Sequence, residues 1–218
     1  MRGAFNRLLV ASLGLFLSTA PAARAEQSGR PAPLPTLPIA FAVVQAAGEA
    51  VVDASFLADQ VGSANAVFGP HGITFVAAKV RPLAERYAAL ETRADRHALG
   101  GETKAGVINC FVVASLRDVD DPSLYRRGVH WRPRGYPGRH FVILSSVAGP
   151  TVLAHELGHF FGTREHSEVA GNIMSYDRGE VPPFLDEAQA ERARRFAARF
   201  LATREILPAS VPLAGQGD

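Results

Sequence analysis

The chain has 218 residues, enough for one domain of ordinary size with a full hydrophobic core. An apolar content of 47% and a charged content of 20% are those of a folded globular protein and exclude an intrinsically disordered one. The formal net charge of +2 is too small to argue for a polyanionic partner, and its sign depends on the first few residues.

Arg2 and Arg7 form a positive start, and Leu8 to Leu17 is an apolar run too short to span a bilayer. Ala23-Arg24-Ala25 then places small residues where a signal peptidase reads, so residues 1–25 read as a signal peptide, with an uncleaved N-terminal anchor as the alternative. The expectation is a secreted or periplasmic protein. Removing residues 1–25 takes away Arg2, Arg7 and Arg24 and leaves 20 basic against 21 acidic residues. Neither nucleic acid nor a membrane surface is then expected as a partner. Cys110 is the single cysteine, so an exported chain must be held by its core, a metal, or both. It lies in the apolar run Val107 to Val113 and reads as a core residue.

Residues 26–38, with Pro31, Pro33, Pro35 and Pro38, read as an extended, poorly packed lead-in, either a linker or a short propeptide. A single domain is expected over residues 39–207, with a flexible tail over 208–218. Ile39 to Gln45 reads as a first strand, Glu49 to Phe68 as a helix closed by Gly69-Pro70, and Ile73 to Val80 as a second strand. Leu83 to Leu99 reads as a charged helix, and Val107 to Ala114 as a strand buried on both faces. Residues 117–140 read as loop with a short edge strand at Val129-His130-Trp131, followed by a strand from Phe141 to Ser146. Pro150 to Phe161 is the best helical stretch, with Pro150 suited to a first turn. Residues 163–183 read as irregular, and a final helix is capped near Asp186 and ends near Arg204. The order gives a single α/β (α+β) domain of two lobes around a cleft, without internal repeats.

The chemistry concentrates in His155-Glu156-Leu157-Gly158-His159-Phe160-Phe161-Gly162-Thr163-Arg164-Glu165-His166. Histidines four residues apart lie on one helical face a turn from each other and can share a tetrahedral Zn²⁺. Glu156 can then act as general base toward a water acidified by the metal. The flanking residues Val152, Leu153, Ala154, Leu157, Phe160 and Phe161 make the helix nearly all apolar, and polar groups kept inside such a helix need partners or a metal. A third ligand is still needed. Gly162 can take a positive φ, end the helix and return the chain toward the metal, which brings in His166.

With Gly162 and His166 in place, the segment resembles the metzincin clan of zinc endopeptidases, whose motif is HExxHxxGxxH followed by a methionine turn. Asn172-Ile173-Met174-Ser175-Tyr176 is similar to that turn, with Met174 as the apolar floor under the histidines. By the same resemblance Tyr176 either ligates the resting metal or stabilises the oxyanion, the alternative being a packing role. The chain departs from the clan in spacing: ten residues after the first histidine stands Glu165, and His166 is one further. The sequence therefore reads as HExxHxxGxxxH, with His166 favoured as third ligand and Glu165 as the alternative, because a neutral imidazole suits zinc and leaves its water more acidic. The resemblance further implies a metzincin-like mixed, twisted sheet, an active-site helix, and a cleft-edge strand from the stretch 129–146 that pairs with an extended protein or peptide substrate. It also implies that Arg178, Gly179, Pro182 and Pro183 shape the neighbouring side-chain pocket. The expected activity is a secreted zinc metalloendopeptidase. The alternatives are a zinc-stabilised peptide-binding module and a metallohydrolase of cell-wall peptides. His71, His97, His130 and His140 read as surface or structurally satisfied histidines, and Asp118, Asp120 and Asp121 as a solvated acidic turn rather than a calcium loop.

Overall fold

The computed structural model describes residues 32–136 and 138–209. The signal-like segment, the first part of the lead-in and the tail beyond residue 209 lie outside the described residues. Three strands with unbroken apolar runs form the centre: β1 (Leu37–Ala46), β5 (Ile108–Val113) and β8 (Phe141–Ser145), each buried on both faces over most of its length. Such runs belong to parallel strands covered on both sides, and β1 pairs parallel with β5 and β5 with β8. On the far side of β1 lies β3 (Phe75–Leu83), parallel and largely exposed. At the other edge β7 (Gly128–Trp131) runs antiparallel to β8. Alternation along the central strands sends side chains into two cores. Phe41, Val43, Cys110, Val112, Val142 and Leu144 face one way, and Ala42, Val44, Phe111, Val113 and Ile143 the other.

The first core is covered by α1 (Ala54–Phe68) and α3 (Val152–Phe160), which also pack on each other. The C-terminal α4 (Glu187–Ala202) contributes Ala190, Ala193, Ala197 and Phe200 to the same cluster. Its start is written locally: Asp186 accepts from the Gln189 N–H, and Gln189 reaches back to the cap. The start of α3 is written elsewhere. Thr151 provides no side-chain cap. Instead, buried Gln60 of α1 accepts from the Leu153 N–H at 2.9 Å and donates to the Gly149 carbonyl at 2.9 Å. A buried amide on a neighbouring helix thus satisfies one of the orphan donors of the motif helix.

Several boundaries differ from the sequence reading. β1 begins at Leu37, and Leu34 packs against the core, so the end of the lead-in belongs to the fold. The helix read from Glu49 starts only at Ala54. Ala47 and Gly48 have positive φ (50° and 86°) and turn β1 back into β2 (Glu49–Ala50), after which Asp53 caps α1. The charged helix read over residues 83–99 is not one helix. It divides into a 3₁₀ turn, β4 (Ala89–Leu90) and the short α2 (Arg93–Ala98), because Thr92 and Asp95 form a capping box that starts a helix there. β4 pairs with β6 (Ser115–Leu116) in a small second sheet. No helix among the described residues is long and apolar enough to cross a membrane.

Candidate metal centre and cleft

His155 and His159 leave the same face of α3, their rings 4.9 Å apart. Helix α3 ends at Phe160, and Gly162 takes φ 96°, a conformation open to glycine and strained for other residues. Gly162 donates to the His159 carbonyl and Thr163 to the Gly158 carbonyl, closing the helix and reversing the chain. That reversal delivers His166, whose ring stands 5.0 Å from His159 and 5.2 Å from His155. One ligating atom from each of the three histidines lies within 4.8 Å of the other two. Glu165 is exposed and outside this group.

The chemistry of the donor set can be tested against a zinc ion. His155 Nδ1 donates to the Ile173 carbonyl and His159 Nδ1 to the Thr163 carbonyl, both at 2.7 Å. A carbonyl only accepts, so each Nδ1 holds the proton and each Nε2 presents a bare lone pair. His159 Nε2 and His166 Nε2 are 3.3 Å apart. Two nitrogens bound to one tetrahedral zinc at about 2.0–2.1 Å stand about 3.3 Å from each other. Burial, together with the mutual proximity of His159 and His166, pushes His155 down to about 4, although the Ile173 carbonyl works against it. His159 and His166 are also shifted down, first by burial. All three are neutral imidazoles at neutral pH, the form a metal needs. The residues fit a zinc ion.

The floor is Met174, fully buried in the turn 172–175. A Cβ on Gly158 would collide with Met174 Sδ, so glycine lets the helix settle on the turn. Asn172 holds the turn: its Oδ1 accepts from the Met174 N–H and its Nδ2 donates to Gln189 of α4, both at 2.9 Å. The Ser167 N–H donates to the Met174 carbonyl at 3.0 Å and fixes the segment after His166 to this floor. Tyr176 is 67% exposed, and its ring lies 4.5 Å from that of His166 and 6.1 Å from that of His155.

Glu156 is only 5% exposed. Burial raises its pKa to about 8, against the His130 backbone N–H and the charges of Arg126 and Arg178. Strand β7 comes this close because residue 128 is glycine: a Cβ there would meet Val152 Cγ1 at 2.5 Å and Glu156 Cγ at 3.0 Å. Together these residues line an open cleft of about 570 Å³ whose walls include Gly128 to Arg132, Thr163, Arg164, Tyr176 and Phe196.

The structure departs from the sequence expectation at Arg178 and Asp118 and agrees with it at His130, His140 and Cys110. Arg178, Gly179, Pro182 and Pro183 do not line this cleft. Arg178 turns inward to donate to the Ile173 carbonyl at 3.1 Å, the same oxygen that holds His155. Asp118 is buried rather than solvated: Arg126 pairs with one of its oxygens, and the backbone N–H groups of Asp120 and Asp121 donate to the other. His130 and His140 are structural, in a chain that runs from His130 Nε2 to His140 Nδ1 and from His140 Nε2 to Glu205, each step 2.9 Å. Burial, with His140 and Arg132 nearby, pushes His130 to about 2, and burial keeps His140 neutral as well. Cys110 is fully buried, its thiol pushed up by burial.

No protein-family model matches the chain, and no curated protein matches it at a significant level. Solved structures do. Metalloproteinase-II from Bacteroides fragilis aligns at TM-score 0.53 with 16% identity, over 76% of this chain and 54% of that one. The chain therefore spans about half the length of that protein. Archaemetzincin from Methanopyrus kandleri aligns at TM-score 0.50 and 16% identity, over 75% of this chain and 97% of its own. Mature mirolysin from Tannerella forsythia, solved with a cleaved peptide, aligns at TM-score 0.54 and 11% identity, over 83% of this chain and 100% of its own. The fold is metzincin-like. Within a metzincin-like fold, the mixed sheet, the motif helix, the methionine turn and the converging histidines occupy the places the sequence motif implied.

Proposed function

We propose that the chain is an exported zinc metallopeptidase that hydrolyses peptide bonds in an extended protein or peptide substrate. The observation that carries this reading is the set of three neutral imidazoles, two with Nδ1 tied to backbone carbonyls, converging beside a buried carboxylate. His155, His159 and His166 would hold the ion. Zinc bound there supplies Lewis acidity and lowers the pKa of water in its coordination sphere. Glu156, raised to about 8 by burial, would ionise more readily beside a bound cation. Glu156 then takes a proton from the attacking water and returns it to the leaving amine. The exposed Tyr176, its ring beside that of His166, would donate its hydroxyl proton to the oxygen on which negative charge develops. Among the described residues β7 pairs with β8 alone, so its outer edge is open for strand addition along the cleft. The signal-like residues 1–25 support export. A buried carboxylate at Glu156 has no use in a purely structural zinc site, which speaks against a binding module without catalysis.

The test measures bound zinc and cleavage of a mixed peptide library by the wild type and Glu156→Ala. Both should bind one zinc, and the variant should lose cleavage by about 100-fold or more. A zinc-loaded variant that cleaves as fast as wild type would overturn the mechanism. Export is checked by fractionation and N-terminal sequencing, with a mature chain starting at Glu26 expected.

A further inference from the structure

On the face of β7 away from α3 the cleft wall contains an arginine that forms no ion pair among the described residues. Arg96 of α2 is 3% exposed, yet it lines the cleft with Trp131. Its guanidinium lies over the Trp131 ring, 4.9 Å from the centroid, and the indole N–H is held by His97 Nδ1 at 3.1 Å. One Nη donates to the Arg117 carbonyl. Nε has no partner among the described residues. The charged groups that act on Arg96 are Asp118, Asp120, Arg93 and Arg126. Asp118 pairs with Arg126 and Asp120 with Arg93. Three arginines thus share two aspartates, and the one left over is the buried one.

A buried cation without a counter-ion is a costly arrangement, and a planar guanidinium is suited to receive a carboxylate. We propose that Arg96 is a carboxylate-recognition residue of the cleft, selecting an acidic side chain in the bound peptide. The position follows from strand geometry. Gly128 and His130 face α3, with Gly128 against Glu156, whereas Val129 and Trp131 pack toward the second core. A peptide added to the edge of β7 alternates in the same way, so its residue beside Trp131 points to Arg96. Trp131 is three residues from Gly128, about 10 Å along the strand. The acidic residue therefore lies about three positions from the bond to be cleaved. Arg132, exposed on the same wall, adds a weaker, solvent-screened attraction.

This inference rests on the peptide-cleft reading but is tested without turnover. Fluorescent peptides that differ only by Glu or Gln, with the change moved one position at a time along an otherwise uncharged sequence, are titrated into zinc-loaded Glu156→Ala protein. The Glu peptide should bind about tenfold more tightly at one of these positions. Adding Arg96→Met, which keeps an apolar stem over Trp131, should bring the ratio to about one. Arg96→Lys should retain part of the preference, and it decides the matter if the Met form does not fold. Equal binding of the two peptides, or a preference that disappears in Arg132→Ser while persisting in Arg96→Met or Arg96→Lys at its full size, would overturn the assignment. A Glu preference in a wild type that hydrolyses neither peptide would uphold Arg96 and sink the hydrolase reading. Hydrolysis with no Glu preference would do the reverse.

Discussion

Replacing Gly162 by alanine tests whether the turn after the motif helix builds the metal site. The backbone there has φ 96°, and an added Cβ would lie 2.5 Å from Cε2 and 2.9 Å from Cζ of Phe196 on α4. The left-handed conformation costs a residue with a Cβ about 1–2 kcal/mol, and forcing a methyl into a packed ring about 1–3 kcal/mol. Together the cost is roughly 2–5 kcal/mol, charged to the conformation in which Thr163 holds His159 and His166 joins the site. Zinc affinity should fall by about 30-fold or more, and the zinc-loaded melting temperature by roughly 5–15 °C. Competition with a chromophoric chelator reads the first and calorimetry the second. The double variant Gly162→Ala/Phe196→Ala separates the two causes, since it removes the clash and keeps the strain. A favourable coupling of about 1–3 kcal/mol is expected in the cycle. Zinc affinity within twofold of wild type, with an unchanged melting temperature, would refute the idea that this turn's geometry delivers His166.

His166→Ala should weaken zinc binding by about 100-fold or more, whereas Glu165→Gln should leave it unchanged; the opposite pattern in the chelator competition would make Glu165 the ligand. His130 predicts a pH effect. Its folded pKa is lowered to about 2 from about 6.5, so below pH 6.5 only the unfolded chain takes that proton. Stability is present above pH 6.5 and lost on acidification toward the folded value, by about 1.4 kcal/mol per pH unit for this one group. Urea titrations of metal-free protein between pH 6 and 4 should show a slope smaller by that amount in His130→Gln than in wild type. Equal slopes would mean that His130 is not held neutral.

What was legible in the sequence is what is local. The runs Ile39–Gln45, Val107–Ala114 and Phe141–Ser146 announce strands covered on both faces, and Asp186 with Gln189 announces the start of α4. The five-residue motif places His155, Glu156 and His159 on one helical face without further information. Residues 83–99 read as one helix because their charge pattern suits it, while the signal that divides them is one Thr92–Asp95 capping box. What stayed hidden is non-local. Gln60 lies 93 residues before the N–H it caps. Phe196 and Gly162 meet only once α4 has docked, and Arg96 is left without a counter-ion only because Arg93 and Arg126 take the aspartates around it.

The third ligand shows how both kinds of information combine. Counting from the clan motif points to Glu165, one residue short of His166. The count is not what fixes the geometry, because the segment is anchored at both ends by hydrogen bonds that spacing does not encode. At one end the Thr163 carbonyl accepts from His159 Nδ1, and at the other the Ser167 N–H donates to Met174 beneath the site. Between these anchors the chain is not helical and bends at Glu165, which is exposed. His166, next to the anchored Ser167, faces His155 and Tyr176, while Glu165 lies in solvent. An extra residue after Gly162 is thus absorbed in the exposed bend at Arg164 and Glu165, and the register at the metal is set from the methionine turn rather than from the helix. It follows that deleting Arg164, which restores the clan spacing, should leave Ser167 on its anchor and His166 at the metal. Retained stoichiometric zinc in that deletion variant is the expected result, and loss of zinc would show that the helix end sets the register after all.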